Sequence, residues 1–212
     1  MIKEHPMITI IDYNAGNLTS VKRALDGLGI ACAISPDPDA VCNAERIIFP
    51  GVGHAATAMK FLRERGLDSA IIEACGKGIP ILGICLGCQI VLSRSEEGDT
   101  RCLDLIPGET KRFQLPDPAL KIPHMGWNAV TVARPHPLLA DIARGDEFYF
   151  VHSYYPQPDD PACVFSTCEY GAVFPAAVGA ANLLAVQFHP EKSGRAGLSI
   201  LRRFSTWDGA PC

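Results

Sequence analysis

The 212-residue sequence has no apolar run approaching the about 18 residues that a membrane-spanning helix needs, so none is expected. Positive charge is also scarce. Nineteen Lys and Arg stand against 23 Asp and Glu, for a net charge of −4, and no basic cluster occurs. A general nucleic-acid or anionic-membrane surface is therefore excluded. The opening MIKEHPMITIID lacks an apolar segment with a cleavage site, which argues against a secretory leader. Nine cysteines, an odd number scattered through apolar stretches, do not make a disulfide framework. Reduced thiols in the cytoplasm are the simpler account. No second close cysteine pair joins Cys85 and Cys88, so a zinc site is not expected. Repeats, low-complexity tracts and linkers are missing. That leaves a single domain over 1–212, with 1–6 a dispensable extension ahead of Met7.

What is present begins as an alternation of strands and helices. Ile8–Asp12, Ile30–Ser35 and Arg46–Phe49 read as strands, and 79–84 as a buried central one. Between them, Leu18, Val21, Leu25 and Leu28 fall at helical spacing, followed by two helices over about 54–65 and 68–76. This pattern predicts an α/β fold whose mixed, mainly parallel sheet is flanked by helices, with functional loops at the carboxyl ends of the strands. The second half reads differently. Strands near 109–113, 128–133, 147–153, 163–167, 174–178 and 183–188 predict an antiparallel C-terminal extension, interrupted by a short helix near 137–143 and closed by one from Ser193.

Gly83-Ile84-Cys85-Leu86-Gly87 is the thiol counterpart of a G-x-S-x-G turn, sitting between an apolar strand and a helical pattern. A cysteine at such a corner lies at a helix N-terminus, where the dipole and free N–H groups favour thiolate. The alternative is a small buried hydrophobe. A thiolate nucleophile needs an oriented base. Of six histidines, His189 is the strongest candidate, because Glu191 follows two residues on and can orient the ring if the corner at Pro190 curls. The alternative is a surface turn with a solvated glutamate. Pro50-Gly51-Val52-Gly53 has the features of an oxyanion loop, one of its N–H groups joining that of Leu86. An ordinary strand-end turn has the same letters.

Several stretches together carry a resemblance. Ile81–Gln89 and Gln187–Ser193 resemble the class I glutamine amidotransferases, which have a flavodoxin-like core. Residues 11–18, 50–53, 95–98, 123–128 and 150–155 narrow the likeness to the glutaminase subunits of imidazole glycerol phosphate synthases, of histidine biosynthesis. The resemblance covers about 8 to 204 and implies specific roles. Cys85 would attack the glutamine side-chain amide to form a thioester, His189 would move the proton, and Glu191 would orient His189. Val52, Gly53 and Leu86 would supply the oxyanion hole. Gly51, Gln89 and the backbone of His152, Ser153 and Tyr154 would hold glutamine. No cofactor or metal is implied. Ammonia would pass to a (β/α)₈ cyclase subunit in a heterodimer, and His124, Met125, Trp127 and Tyr149 are expected to form the contact surface, the alternative for Trp127 being the core.

One departure is Cys88, where the family usually has methionine. Cys85-x-x-Cys88 raises the rival of a thiol–disulfide oxidoreductase, which explains neither 187–193 nor 123–128. The nearer rival is a paralogous ammonia-supplying subunit with another synthase. A catalytically silent scaffold is the third.

Overall fold

Residues 7–14 and 16–210 are described by the structure, a computed structural model. The proposed extension 1–6 lies outside them. The first half alternates β1 (Ile8–Ile11), α1 (Leu18–Gly27), β2 (Cys32–Ser35), α2 (Pro38–Cys42), β3 (Arg46–Gly51), α3 (Ala55–Glu64), α4 (Leu67–Gly76) and β4 (Ile81–Cys85). It continues through α5 (Leu86–Ile90), β5 (Leu92–Ser95), β6 (Thr100–Arg101), β7 (Ile106–Arg112), β8 (His124–Val132), β9 (Glu147–His152) and β10 (Tyr154–Pro158). Then follow β11 (Val164–Glu169), β12 (Val173–Ala180), β13 (Leu183–Val186) and α6 (Gly194–Phe204).

Among the described residues nine strands form one sheet in the order β2-β1-β3-β4-β13-β12-β11-β8-β9. From β2 to β13 every pairing is parallel; from β13 to β9 every pairing is antiparallel. Side-chain alternation along the parallel strands divides the core. Ile8, Ile10, Ile48, Leu82, Ile84, Leu184 and Val186 face α1 and α6, meeting Val21, Leu25, Ile200, Leu201 and Phe204. Ile11, Ile47, Phe49, Ile81, Leu183 and Ala185 face α3 and α4, meeting Met59, Leu62, Leu67 and Ile71. A parallel sheet covered on both faces needs apolar residues at both parities, which is why these strands read as continuous apolar runs.

A second sheet, ordered β10-β7-β5-β6, is not foreseen by the sequence pattern. Gln89–Leu92 reads as continuing helix, yet α5 stops at Ile90. The carbonyls of Ile90, Val91 and Leu92 instead accept from the N–H groups of Leu103, Leu105 and Asp104. Long-range pairing there replaces the helical ladder. β10 carries Pro156 and Pro158 because it is an edge strand, where a missing N–H on the open side costs no ladder bond. The helix expected over 137–143 is one 3₁₀ turn at Pro137–Leu139.

Candidate active site

The site lies beyond the carboxyl ends of β1, β3, β4 and β13, at the edge where open α/β sheets gather their ligands. Cys85 ends β4 with φ 55° and ψ −106°, a left-handed conformation that a non-glycine residue adopts only when its surroundings enforce it. The flanking glycines make the corner possible. A β-carbon on Gly87 would fall onto the Phe49 carbonyl oxygen, and one on Gly83 would crowd the Ala185 β-carbon at 2.8 Å. The thiol is buried at the start of α5, and Gln187 Nε2 donates to its sulfur at 3.8 Å.

β13 runs beside β4, with Val186 opposite Ile84, and so delivers His189 to the same corner. Pro190–Lys192 then curls into a single 3₁₀ turn. That turn brings Glu191 Oε1 to 2.8 Å from His189 Nδ1, both side chains being essentially inaccessible to water. The ring's backbone is fixed as well. His189 N–H donates to the Tyr149 carbonyl, and its carbonyl accepts from Ser193 Oγ at 2.6 Å. Nε2, the remaining ring nitrogen, is buried without a hydrogen-bond partner among the described residues. Burial alone would lower the pKa of His189. The Cys85 sulfur and the Glu191 carboxylate together outweigh it and raise the pKa to about 10. The arrangement therefore stabilises imidazolium beside the sulfur.

Asn17, within the 11–18 stretch of the resemblance but given no role there, is a member of this cluster. Its φ of 80° aims the amide inward, and Nδ2 donates to Glu191 Oε1 at 2.6 Å while lying 3.3 Å from His189 Nδ1. An asparagine in the left-handed region immediately before a helix is the available signal, and it does not reveal a partner 174 residues away.

A cleft of about 250 Å³ opens over the thiol, lined by Val52, Gly53, Cys85, Leu86, Gln89, Glu97, Pro123, Val151, His152, Ser153 and Tyr154. The Val52, Gly53, Leu86, Gln89, His152, Ser153 and Tyr154 expected from the sequence are thus gathered around Cys85. Gly51 differs. It does not line the cleft but lies beneath it, its missing side chain making room for the Tyr13 hydroxyl. Glu97 is an addition: the cleft's only carboxylate among the described residues, with Oε2 accepting from the Ala55 N–H at 2.7 Å. The Ser95–Gly98 stretch contributes to the resemblance, but its acidic pair does not reveal which glutamate turns inward.

His124 is a correction. Expected on an exposed contact surface, it is buried, because β8 alternates and places Met125 and Trp127 outward instead, 62% and 54% exposed. Trp127 stacks edge-on against Tyr149, whose ring has Lys192 Nζ 5.8 Å above it. His124 faces inward and pairs with His152, Nδ1 to Nε2 at 3.0 Å. His152 Nδ1 lies 2.7 Å from the Tyr154 carbonyl, which can only accept, so that nitrogen carries the proton. Nε2 then accepts from His124 Nδ1–H, and His124 Nε2 accepts from Asn128 Nδ2 at 3.3 Å. Burial lowers both pKa values, to about 4 for His124 and about 3 for His152. The Tyr154 carbonyl also accepts from Gln89 Nε2 at 2.9 Å, and that amide reaches Gln187 Oε1 at 3.1 Å. A continuous chain of hydrogen bonds therefore runs from Asn128 to the Cys85 sulfur.

Cys88 is fully buried on α5, and burial pushes its thiol well above the ordinary range. Such a thiol is poorly suited to attack or resolve a disulfide. Among the described residues no group of three His, Cys, Asp or Glu side chains could hold a metal ion, and no helix is long and apolar enough to cross a membrane.

Comparison with known proteins gives concordant matches. The family model for glutamine amidotransferase class-I matches residues 9–206. The imidazole glycerol phosphate synthase subunit HisH of Nitratidesulfovibrio vulgaris (strain DSM 19637 / Miyazaki F) is 50% identical over 203 residues, covering 93% of this chain and 95% of the relative. That of Moorella thermoacetica is 50% identical over 198 residues, covering 93% of each. Among solved structures, PurLQS from Thermotoga maritima superposes with a TM-score of 0.70 at 19% identity, covering 94% of this chain and 97% of that one. A glutamine amidotransferase superposes with the same TM-score, 0.70, also at 19% identity, over 95% and 99% of the two chains. At that identity the structural likeness speaks to the fold alone.

Proposed function

The chain belongs to the class-I glutamine amidotransferases and is the glutaminase subunit of an imidazole glycerol phosphate synthase; on that premise we propose that Cys85, His189 and Glu191 are its catalytic triad. The observation that carries this reading is the buried His189 ring delivered to the Cys85 corner, with Nδ1 2.8 Å from Glu191 Oε1 and Nε2 unpartnered among the described residues.

The chemistry then follows in two halves. The Cys85 thiolate attacks the side-chain amide carbon of glutamine, and the oxygen becomes an oxyanion. N–H groups of the Val52–Gly53 strand and of Leu86 hold it; losing one such donor typically costs about 3–4 kcal/mol. His189 gives its Nε2 proton to the amide nitrogen, the C–N bond breaks, and ammonia leaves a glutamyl thioester. Neutral His189 next takes a proton from water, and hydroxide attacks the thioester. Glutamate departs, leaving thiolate and imidazolium as at the start. Gln89 and the backbone of His152, Ser153 and Tyr154 hold the substrate, and Glu97 suits its ammonium group. Glu191 and Asn17 position the base.

The implied cyclase partner would receive the ammonia. The exposed Met125–Trp127 face, continuous with Tyr149 and Lys192, supports a contact there. An apolar pair of that size is costly in water without a cover. A (β/α)₈ cyclase in a heterodimer is the expected form.

The test is glutamine hydrolysis by the chain alone and with its cyclase partner. Turnover is expected to be low alone and to rise strongly when the loaded cyclase is added. Cys85→Ala is expected to abolish it in both. Residual turnover within tenfold of the parent would refute the assignment of the nucleophile.

A further inference from the structure

Tyr13, two residues past β1, carries a buried hydroxyl that makes no hydrogen bond among the described residues. A hydroxyl taken out of water without a partner is expensive, and one retained beside a reaction centre calls for an account. Its position is fixed. The ring packs on Phe49 at 5.4 Å between centroids, and Oη fills the space in which Gly51 has no side chain. Burial, with the Cys85 sulfur adding to it, raises the phenol's pKa, so the group stays an O–H donor.

The surroundings indicate what it donates to. Val52 and Gly53 line two cavities: the cleft of about 250 Å³ that contains Cys85, and a second of about 120 Å³ lined by Tyr13, Asn14, His54, Thr57, Ala58 and Phe61. The oxyanion strand is thus the partition between them. In a trans peptide the N–H and C=O point in opposite directions. When the Gly51–Val52 peptide aims its N–H into the cleft at the developing oxyanion, its carbonyl must point away from the cleft. Gly51, flanking that peptide, has no side chain to resist the turn and has the Tyr13 hydroxyl packed directly against it.

We propose that Tyr13 is a positioning residue for glutamine hydrolysis, its hydroxyl donating to the Gly51 carbonyl and so holding the Val52 N–H in the oxyanion hole. This rests on the assignment of Cys85 as nucleophile. The hydroxyl is free to donate because its partner is formed only when the strand turns. No bond is made or broken at Tyr13, and it does not touch the substrate.

The test is Tyr13→Phe, which removes one oxygen, measured in the complex with the cyclase. Turnover should fall roughly tenfold with KM for glutamine within about twofold, since the interaction belongs to the transition state. Two readouts separate this from a structural role. Alkylation of Cys85 by iodoacetamide, followed on its own peptide by mass spectrometry, needs no oxyanion hole and should keep its rate. The unfolding midpoint should stay level or rise, because an unsatisfied hydroxyl has gone. Tyr13→3-fluorotyrosine, which keeps the donor, should retain turnover. Unchanged kcat in Tyr13→Phe, or a loss matched by slower alkylation or a lower midpoint, would overturn the proposal. Cys85→Ala is measured alongside. If that variant stays active, the nucleophile assignment fails; if it is dead while Tyr13→Phe is normal, only the role of Tyr13 fails.

Discussion

Two histidine sites, one at the end of the parallel half of the sheet and one in the antiparallel half, share burial and differ in everything burial does. His189 is buried beside a carboxylate and a thiol, and its pKa goes up. His124 and His152 are buried beside each other, an asparagine and a carbonyl, and theirs go down. Desolvation penalises the charged ring in all three; only His189 has anions close enough to reverse the sign. The first site is thereby suited to moving protons. The second is suited to staying neutral, so that its hydrogen bonds keep a fixed direction toward the cleft over Cys85.

The contrast can be broken most severely at Glu191. Glu191→Gln keeps the shape and removes the carboxylate's charge, so the His189 pKa should drop from about 10 and kcat should fall by about 10²–10⁴, the usual worth of a positioned acid–base group. A pH–rate profile of the variant checks it, and an unshifted profile would contradict the role given to the carboxylate. The opposite manipulation is Asn128→Asp, which places an anion against His124. Its pKa should rise from about 4, read by NMR titration of the ring. Stability at pH 7 should fall by about 1–3 kcal/mol, because the Glu169 carbonyl loses its donor from the amide.

The pH dependence of stability should show the same opposition. Between about 10 and the unfolded value near 6.5, folded His189 holds a proton that the unfolded chain releases. Its contribution is complete below 6.5 and is lost as pH rises through about 10. For His124 and His152 the unfolded chain binds the protons first, so stability falls as pH drops from 6.5 toward about 4 and about 3. Denaturant unfolding across pH of the parent and of Glu191→Gln and Asn128→Asp separates the two limbs. Glu191→Gln should flatten only the alkaline one. The smallest effect is expected at Cys88, where Cys88→Ser should cost about 1–3 kcal/mol for a hydroxyl among apolar neighbours yet leave kcat within about twofold. If parent and variant lose and recover activity identically under mild oxidant, a Cys85–Cys88 disulfide has no part in regulation.

Legibility in the sequence followed the range of the forces involved. The parallel strands were legible because two-sided burial writes itself as apolar runs, and the Cys85 corner because its glycines are dictated by backbone contacts. The second sheet was not, because β5 exists through its pairing with β6 and β7 further along the chain, and β10 tolerates prolines only as an edge. In the site, Glu191 announces itself two residues from His189. Asn17 and Glu97 reach their partners, and Tyr13 its place under Gly51, from turns whose letters fit many other uses.

The amino-acid sequence by itself determined the fold class, the Cys85 corner and the pairing of His189 with Glu191, since each rests on neighbours within a few residues along the chain. Which way His124 faces, that Asn17 ahead of α1 braces Glu191, and where the Tyr13 hydroxyl comes to rest were decided only by the tertiary structure. Those outcomes depend on strands brought side by side from distant parts of the chain, and on water being excluded from between them.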